Sequence, residues 1–138
     1  MEYSWCIQHH VLVLSMLLVL VWMNMTSLEA LPVDTKVVVR SLSDKPITIH
    51  CKSSEDDLGV HTLSNQQSFD WHFKPNIWGS TSFDCDIQTA YGSGYYNVYD
   101  DNKDGVCSPN CVWEVSNTGP CLNSNRPGTK FCEQWRKK

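Results

Sequence analysis

Apolar and polar residues alternate along five stretches of the chain, with the period of two that is typical of β-strands lying between a core and water. No stretch after residue 30 carries an apolar stripe at helical spacing. Clusters of Gly, Pro, Asn and Asp separate the stretches and indicate turns between strands. The apolar members are Val37 and Val39; Ile47, Ile49 and Cys51; Phe69, Trp71 and Phe73; Phe83, Cys85 and Ile87; and Cys111, Trp113 and Val115.

Short alternating strands with frequent turns favour an all-β fold, which we predict to be a small antiparallel β-sandwich. At 138 residues the chain has room for one such domain. The turns are predicted at residues 44–46, 56–59, 75–76, 92–94, 104–105 and 119–120.

The N-terminal segment has a different pattern, because residues 11–23 form an apolar run interrupted only by Ser15. A bilayer-spanning helix needs roughly 20 apolar residues, so the run better matches the hydrophobic region of a secretory signal peptide. We expect cleavage near Ala30, which divides the chain into a signal peptide, 1–30, and a secreted domain, 31–138. The alternative is an uncleaved signal anchor that stays in the membrane.

Seven cysteines in so short a chain indicate an oxidising compartment or a metal site. Removal of residues 1–30 takes away Cys6 and leaves an even number, as intramolecular bridges require. Zinc modules show two closely spaced ligand pairs, whereas only Cys107 and Cys111 lie close together here. We therefore predict disulfides, with the pairing left open, and no metal site. The cysteines concerned are Cys51, Cys85, Cys107, Cys111, Cys121 and Cys132.

The net charge of -4 offers no bulk attraction to nucleic acid, so a nucleic-acid-binding protein is not expected. Loss of Glu2 and Glu29 with the signal peptide would leave 13 acidic against 11 basic residues. No basic amphipathic stretch follows, so no membrane insertion is expected after cleavage. No Asn-X-Ser/Thr acceptor occurs after residue 30, and no motif indicates a cofactor.

Two kinds of hydrolytic site receive little support from the sequence. A ribonuclease of the acid–base type needs two histidines, but His50 and His72 fall on the polar phases of their strands. Asp84 and Asp86 share one strand face, yet two carboxylates on a solvated face are usually not catalytic. We therefore predict no enzymatic activity, with a weak, ribonuclease-like hydrolase as an alternative.

The segment from Asp100 to Gly105 matches the first half of an EF-hand calcium loop. The twelfth position of that loop, however, is Cys111, where a bidentate Glu should stand. We interpret the segment as a polar turn between two strands, with weak extracellular calcium binding as the alternative.

A further pattern lies in the order of short motifs along residues 36–135. The motifs are His50-Cys51-Lys52-Ser53, Asp56-Asp57-Leu58-Gly59, Phe69-x-Trp71-x-Phe73, Pro75-Asn76-Ile77-Trp78-Gly79-Ser80-Thr81, Phe83-x-Cys85, Tyr96-x-Val98-Tyr99, Cys111-x-Trp113, Gly119-Pro120-Cys121 and Cys132. No single motif is specific, but in this order and spacing they resemble the plant self-incompatibility S-protein family, also called S-protein homologues.

The resemblance implies a small, secreted, disulfide-bonded β-sandwich without catalytic activity. In poppy, members of the family act as stigma-borne ligands that a pollen membrane receptor recognises. The family's recurrent cysteines are matched by Cys51, Cys85, Cys111 and Cys132. The two that remain, Cys107 and Cys121, would form an additional pair.

We therefore expect a secreted, monomeric signalling ligand that a plasma-membrane receptor on another cell recognises, because loops on a rigid cross-linked scaffold suit recognition. The expected process is pollen–stigma self-incompatibility or related cell–cell signalling. A secreted defence-type protein or toxin is the alternative. The candidate receptor-binding residues are Asp56, Asp57, Trp78, Tyr91, Asp100, Asp101, Asn102, Lys103 and Asp104.

Overall fold

The computed structural model describes residues 2–25, 33–103, 107–124 and 126–136. The chain separates into two compact units, Met1–Leu31 and Pro32–Lys138. The first unit contains one helix, α1 (Glu2–Met25), and its side chains from residue 4 to residue 23 are all exposed.

Helix α1 is longer than the apolar run that the sequence pattern marks. Its segment Ser4–Met23 has a mean hydropathy of 1.9 and is long enough to cross a membrane, a property that signal sequences near an N-terminus share. Length alone therefore does not separate a signal peptide from a signal anchor, and cleavage stays a prediction. The predicted cleavage site at Ala30 lies outside the described residues.

The second unit is a sandwich of two sheets, which confirms the predicted fold. A five-stranded sheet has the order β4-β1-β7-β8-β9, and a four-stranded sheet has the order β3-β2-β5-β6. All pairs are antiparallel except β1 and β7, which run parallel. The strands are β1 (Thr35–Ser41), β2 (Ile47–Lys52), β3 (Asp57–Leu63), β4 (Ser68–Phe73), β5 (Ser82–Gln88), β6 (Ser93–Asp100), β7 (Asn110–Ser116), β8 (Gly119–Asn123) and β9 (Lys130–Cys132).

The five alternating stretches correspond to β1, β2, β4, β5 and β7, and their apolar phases form the core between the sheets. Trp71 and Trp113 are buried, as their strand phase predicts. Phe69 and Phe73 are only partly buried and pack against the core from the edge strand β4. The fully buried members are Val37, Val39, Ile47, Ile49, Cys51, Cys85, Ile87, Cys111 and Val115.

Three predicted turns are wrong because their residues belong to strands, and the predicted turn at 104–105 lies outside the described residues. In the predicted turn at 92–94, Ser93 and Gly94 are the first two residues of β6. Asp57 is the first residue of β3, so the predicted turn at 56–59 ends one residue after it begins. Gly119 and Pro120 open β8 instead of joining two strands. β3 is an edge strand whose Val60 is exposed, so its sequence lacks a clean alternation. The pattern for β6 is obscured by a register shift between Phe83 and Asp84 on its partner β5.

Six cysteines form three disulfides, and the pairing differs from the one that the resemblance implied. Cys51 is bonded to Cys85, Cys107 to Cys111 and Cys121 to Cys132. A Cys107–Cys121 pair is therefore wrong. The physical reason is local: Cys121 and Cys132 lie directly opposite each other on β8 and β9, so each finds its partner in the adjacent strand.

The C-terminal segment 133–136 packs closely against glycine backbone. A Cβ on Gly119, whose φ is +148°, would lie 1.8 Å from the carbonyl oxygen of Glu133. The indole Nε1–H of Trp135 donates to the carbonyl oxygen of Asn117 at 3.0 Å, and its ring meets Tyr96 edge-on. Glycine at position 119 therefore allows the chain end to lie along the sandwich.

We expect the Cys51→Ala/Cys85→Ala protein to lose more stability than the Cys107→Ala/Cys111→Ala protein. The two bridges are both buried, but they span 34 and 4 residues. Chain entropy then assigns roughly 3–4 kcal/mol to the long loop and about 2 kcal/mol to the short one. The free energy of unfolding in guanidinium without reductant measures both losses. Equal losses, or a larger loss from the short loop, would contradict this account.

Gly119→Ala is expected to destabilise the protein by roughly 1–3 kcal/mol more than Gly59→Ala, because only the first substitution creates a clash. Gly59 is the matched control: its φ is +78°, but a Cβ there meets nothing within 4 Å. Equilibrium unfolding of the two variants makes the comparison. If they unfold at the same denaturant concentration, the close packing of the C-terminal segment on Gly119 is wrong.

Candidate recognition surface

The strand register defines two ends of the sandwich. Lys52, the last residue of β2, pairs with Asp84 near the start of β5, so the connections next to them share one end. The β4–β5 connection joins the two sheets at this same end, because β4 ends where β5 begins. We call it the upper end; among the described residues its connections are 53–56, 74–81, 101–103, 107–109, 124 and 126–129. The lower end holds 42–46, 64–67, 89–92 and 117–118.

The structure brings most of the candidate residues to the upper end. Asp56 lies in the β2–β3 connection, and Trp78 lies in the β4–β5 connection. Asp100 ends β6, and the turn that follows begins at Asp101. Asp57 is the first residue of β3 and also lies at the upper end. Asp104 lies outside the described residues.

Tyr91 lies at the opposite, lower end, in the β5–β6 connection. Its hydroxyl donates to Asp44 Oδ1 at 2.6 Å, and this carboxylate raises the pKa of Tyr91. Tyr91 therefore ties two lower connections together and does not share a surface with Trp78. Its turn-forming neighbours made it look equivalent to Trp78 in the sequence.

The β4–β5 connection is a hydrogen-bonded turn built around Asn76. Asn76 Oδ1 accepts from the backbone N–H groups of Trp78 at 3.2 Å and Ser80 at 3.0 Å. Asn76 Nδ2 donates to Ser80 Oγ at 2.7 Å, and Gly79 adopts a φ of +66°, where a Cβ would be strained. The turn is thus fixed by its own side chain.

This turn presents two large apolar side chains to solvent. Trp78 is 83% exposed and Ile77 is 75% exposed. Adjacent apolar side chains so fully exposed at the tip of a fixed turn are typical of an interaction surface. Sequence reasoning selected Trp78 but missed Ile77, although Ile77 stands beside it in the same turn motif.

The β2–β3 connection is acidic and also fixed locally. Ser53 Oγ accepts from the backbone N–H groups of Glu55 at 3.2 Å and Asp56 at 2.9 Å. Asp57 Oδ1 accepts from the backbone N–H of Gly59 at 2.8 Å and lies 2.7 Å from His50 Nε2. The Gly59 hydrogen bond, with a further contribution from His50, lowers the pKa of Asp57. The Asp57 carboxylate therefore stays charged at neutral pH.

The residues after β6 form the polar turn that the sequence indicates. Asp100 Oδ1 accepts from the backbone N–H of Asn102 at 2.9 Å. Lys103 Nζ donates to Asn97 Oδ1 at 2.9 Å and lies 3.9 Å from Asp100 Oδ2. Burial, and then the charge of Asp101, raises the pKa of Tyr99 to about 12. The Tyr99 hydroxyl therefore remains protonated and donates to Asp101 Oδ1 at 3.2 Å.

The histidines of the hydrolase alternative lie apart. His50 lies on the outer phase of β2 in the four-stranded sheet, and His72 lies on the outer phase of β4 in the five-stranded sheet. His61 Nε2 lies 2.8 Å from the carbonyl oxygen of Leu58, and its ring stacks on Phe69. The outer faces of the two sheets point in opposite directions, so His50 and His72 do not face one substrate.

The carboxylates of the hydrolase alternative lie on an outer sheet face and accept hydrogen bonds from side-chain amides. Asp84 Oδ1 accepts from Asn97 Nδ2 at 3.0 Å, and Asp86 Oδ2 accepts from Gln88 Nε2 at 3.3 Å. A glycosidase needs two carboxylates with different protonation states across a cleft. Asp84 and Asp86 instead share one open outer sheet face, where the strand register sets them opposite Lys52 and His50.

The two ends differ in how their polar groups are used. At the lower end, Asn117 Oδ1 accepts from Ser43 Oγ at 2.9 Å, and Asn65 Nδ2 donates to the carbonyl oxygen of Ser43 at 2.9 Å. These bonds join separate connections to each other. At the upper end the side chains of Asn76 and Ser53 bond within their own turns, while the backbone N–H of Asp101 joins two connections by donating to the carbonyl oxygen of Thr81 at 3.0 Å. Because Ile77 and Trp78 are exposed on one of these turns, the upper end is the better candidate for an external partner.

Comparison with known proteins extends these observations. The profile of the family described as plant self-incompatibility protein S1 matches residues 36–135. S-protein homolog 5 of Arabidopsis thaliana is 41% identical over 93 residues, which are 66% of this chain and 69% of the relative. S-protein homolog 3 of the same plant is 36% identical over 94 residues, which are 64% of this chain and 63% of the relative. The matches thus span about two thirds of these relatives.

A solved structure shares the fold. It superposes with a TM-score of 0.59 at 16% identity and covers 77% of this chain and 97% of the solved chain. That protein is one of the SPH (Self-Incompatibility Protein Homologue) proteins, described as a widespread family of small, highly stable, secreted proteins from plants. Helix α1 is consistent with the signal peptide that secretion requires. The chain belongs to the plant self-incompatibility S-protein homologue family, a family of small secreted proteins.

Proposed function

We propose that the protein is a secreted, non-enzymatic signalling ligand that a plasma-membrane receptor of another plant cell recognises through the upper end of the sandwich. Residues 1–30 serve as a signal peptide, and the domain 31–138 acts as a monomer. The process is pollen–stigma self-incompatibility or a related form of cell–cell signalling. The family match supports this class of role, and the geometry of the upper end supports the surface.

The observation that carries the proposal is the Asn76 turn with Ile77 and Trp78 at its tip. Large aromatic side chains on a rigid element lose little conformational entropy on binding, so they contribute strongly to interfaces. The turn lies at the same end as the acidic side chains of Asp56 and Asp101. An apolar anchor with charged neighbours matches the usual organisation of an interface, in which an apolar centre has a polar rim.

The same surface argues against direct action on lipid. One common way of binding a membrane surface uses an amphipathic helix with a basic face. The described residues of the domain 31–138 form strands, turns and connections. At the upper end Asp56, Asp57, Asp100 and Asp101 are accompanied by Lys74, Lys103 and Arg126, so this end is not the basic surface that an anionic bilayer attracts. A protein receptor therefore fits the upper end better than a membrane.

Trp78→Ser and Ile77→Ser are each expected to weaken binding to intact plant cells by at least about tenfold, because each removes apolar contact area at the centre of the interface. The measurement is competition: each unlabelled variant displaces fluorescently labelled secreted protein from living cells of the plant's reproductive and vegetative tissues. Both side chains are largely exposed, so the variants should fold as the wild-type protein does.

Tyr91→Ser serves as the matched control, because it removes a comparably large exposed side chain from the opposite end. It should compete as the wild-type protein does. If Tyr91→Ser weakens binding as strongly as Trp78→Ser, or if Trp78→Ser has no effect, the upper end is not the recognition surface. Saturable binding to protein-free anionic vesicles would instead support the membrane-directed alternative.

A further inference from the structure

A groove opens along one edge of the sandwich because the two sheets have unequal numbers of strands. Trp113, Leu122 and Phe131 lie directly opposite one another on β7, β8 and β9, so they share the inner face of the five-stranded sheet. Their exposed fractions are 5%, 7% and 52%. The four-stranded sheet ends at β6, so no strand covers Phe131 from the other side. An inward-facing aromatic ring is left open to solvent.

The strand β6 forms the opposite wall of this groove. The floor of the groove is formed by Trp113, Leu122 and Phe131. The Trp113 indole Nε1–H donates to the carbonyl oxygen of Val98 on β6 at 2.9 Å, and this bond holds the wall against the floor. The space between them has a volume of about 190 Å³. Its apolar lining comes from Val98, Tyr99, Trp113, Leu122 and Phe131.

The rim of the groove carries more negative than positive charge. Among the described lining residues, Asp100, Asp101 and Glu133 supply three carboxylates and Lys103 supplies one amine. That amine is already engaged, since it donates to Asn97 Oδ1 at 2.9 Å. Lys103 Nζ lies 3.9 Å from Asp100 Oδ2, so two carboxylates remain for which a cationic occupant would supply a counter-charge, whereas an anion would be repelled.

We propose that this groove binds an arginine side chain of a partner protein, with the aliphatic stem on Phe131 and Leu122 and the guanidinium among the rim carboxylates. Arginine combines an apolar stem with a weakly hydrated, planar cation that stacks on aromatic rings and pairs with carboxylates. Lysine has a more strongly hydrated charge and no planar group to stack, so it should bind more weakly.

The partner is a protein because the groove is continuous with the proposed recognition surface. Asp100 and Asp101 belong both to the rim and to the upper end. In this respect the inference rests on the proposed function, since it names the chemistry of a side chain that the receptor would supply. The groove and the Trp78 turn are nevertheless separate structures, so each can be tested without the other.

The test is a titration of the ¹⁵N-labelled secreted protein with N-acetylarginine methylamide, followed by amide and indole chemical shifts. We expect saturable shifts at the Trp113 indole, Phe131 and Glu133, with a dissociation constant on the order of millimolar. The citrulline analogue has the same shape without the charge, and it should cause no localised shifts. The lysine analogue should bind more weakly than the arginine probe.

Two variants and one matched control make the result specific. Phe131→Ser and Glu133→Gln should each weaken binding of the arginine probe by about threefold or more, as expected for loss of a ring contact or a charge at a partly exposed site. Asp86→Asn should leave it unchanged within about twofold, because Asp86 is an outer-face carboxylate of β5 that does not line the groove.

Absence of localised shifts, or equal shifts with the citrulline analogue, would overturn the inference. Shifts of the same residues that depend on protein concentration without any probe would also overturn it, because a second copy of the chain would then be the occupant. Neither result would change the interpretation of the cell-binding competition with Trp78→Ser. If Trp78→Ser competed as the wild-type protein does, the proposed recognition surface would be wrong, but the result of this titration would still hold.

Discussion

The pairing of β2 with β5 is the constraint on which the rest of the structure depends. Cys51 and Cys85 lie directly opposite each other in this pair and are bonded at the centre of the four-stranded sheet, with neither side chain accessible to solvent. A slip of one residue would turn Ile49 and Ile87 to solvent and would be incompatible with the bridge. The bridge therefore fixes which side chains face the core. It also sets the β2–β3 connection beside the β4–β5 connection at the upper end.

This arrangement separates stability from recognition. At the lower end, Ser43 and Asn117 bind each other, and the C-terminal segment closes over Gly119, so these polar groups stabilise the fold. At the upper end, Asn76 uses its hydrogen bonds to shape a single turn and leaves Trp78 in solvent. A scaffold cross-linked in this way can carry different side chains on its upper connections without loss of the core.

Much of the fold could be predicted from the sequence because the inner faces of β1, β2, β5 and β7 are sealed on a common core, and burial imposes strict alternation. The strands β3, β6, β8 and β9 were not predicted, because edge positions, short length or a register shift weaken their alternation. The edge strand β4 was predicted, because Phe69, Trp71 and Phe73 all pack on the core side. The parallel pairing of β1 with β7 and the Cys121–Cys132 bridge depend on contacts between distant residues, which no local pattern encodes. The candidate site shows the same limit of local patterns. Trp78 and Tyr91 are both aromatic residues in turns, so the sequence alone did not distinguish them. Only the strand register places Tyr91 at the other end.

If the upper end of the sandwich faces the partner, as we propose, hydroxyl-radical footprinting of the membrane-bound protein will detect the contact. Oxidation of Ile77, Trp78, Tyr91 and Tyr95 would be compared between free protein and protein bound to plant plasma membranes. The account predicts that Trp78 and Ile77 become protected on binding while Tyr91 and Tyr95 react as they do in the free protein. Protection of Tyr91 with Trp78 still reactive, or even protection over the whole surface, would contradict it.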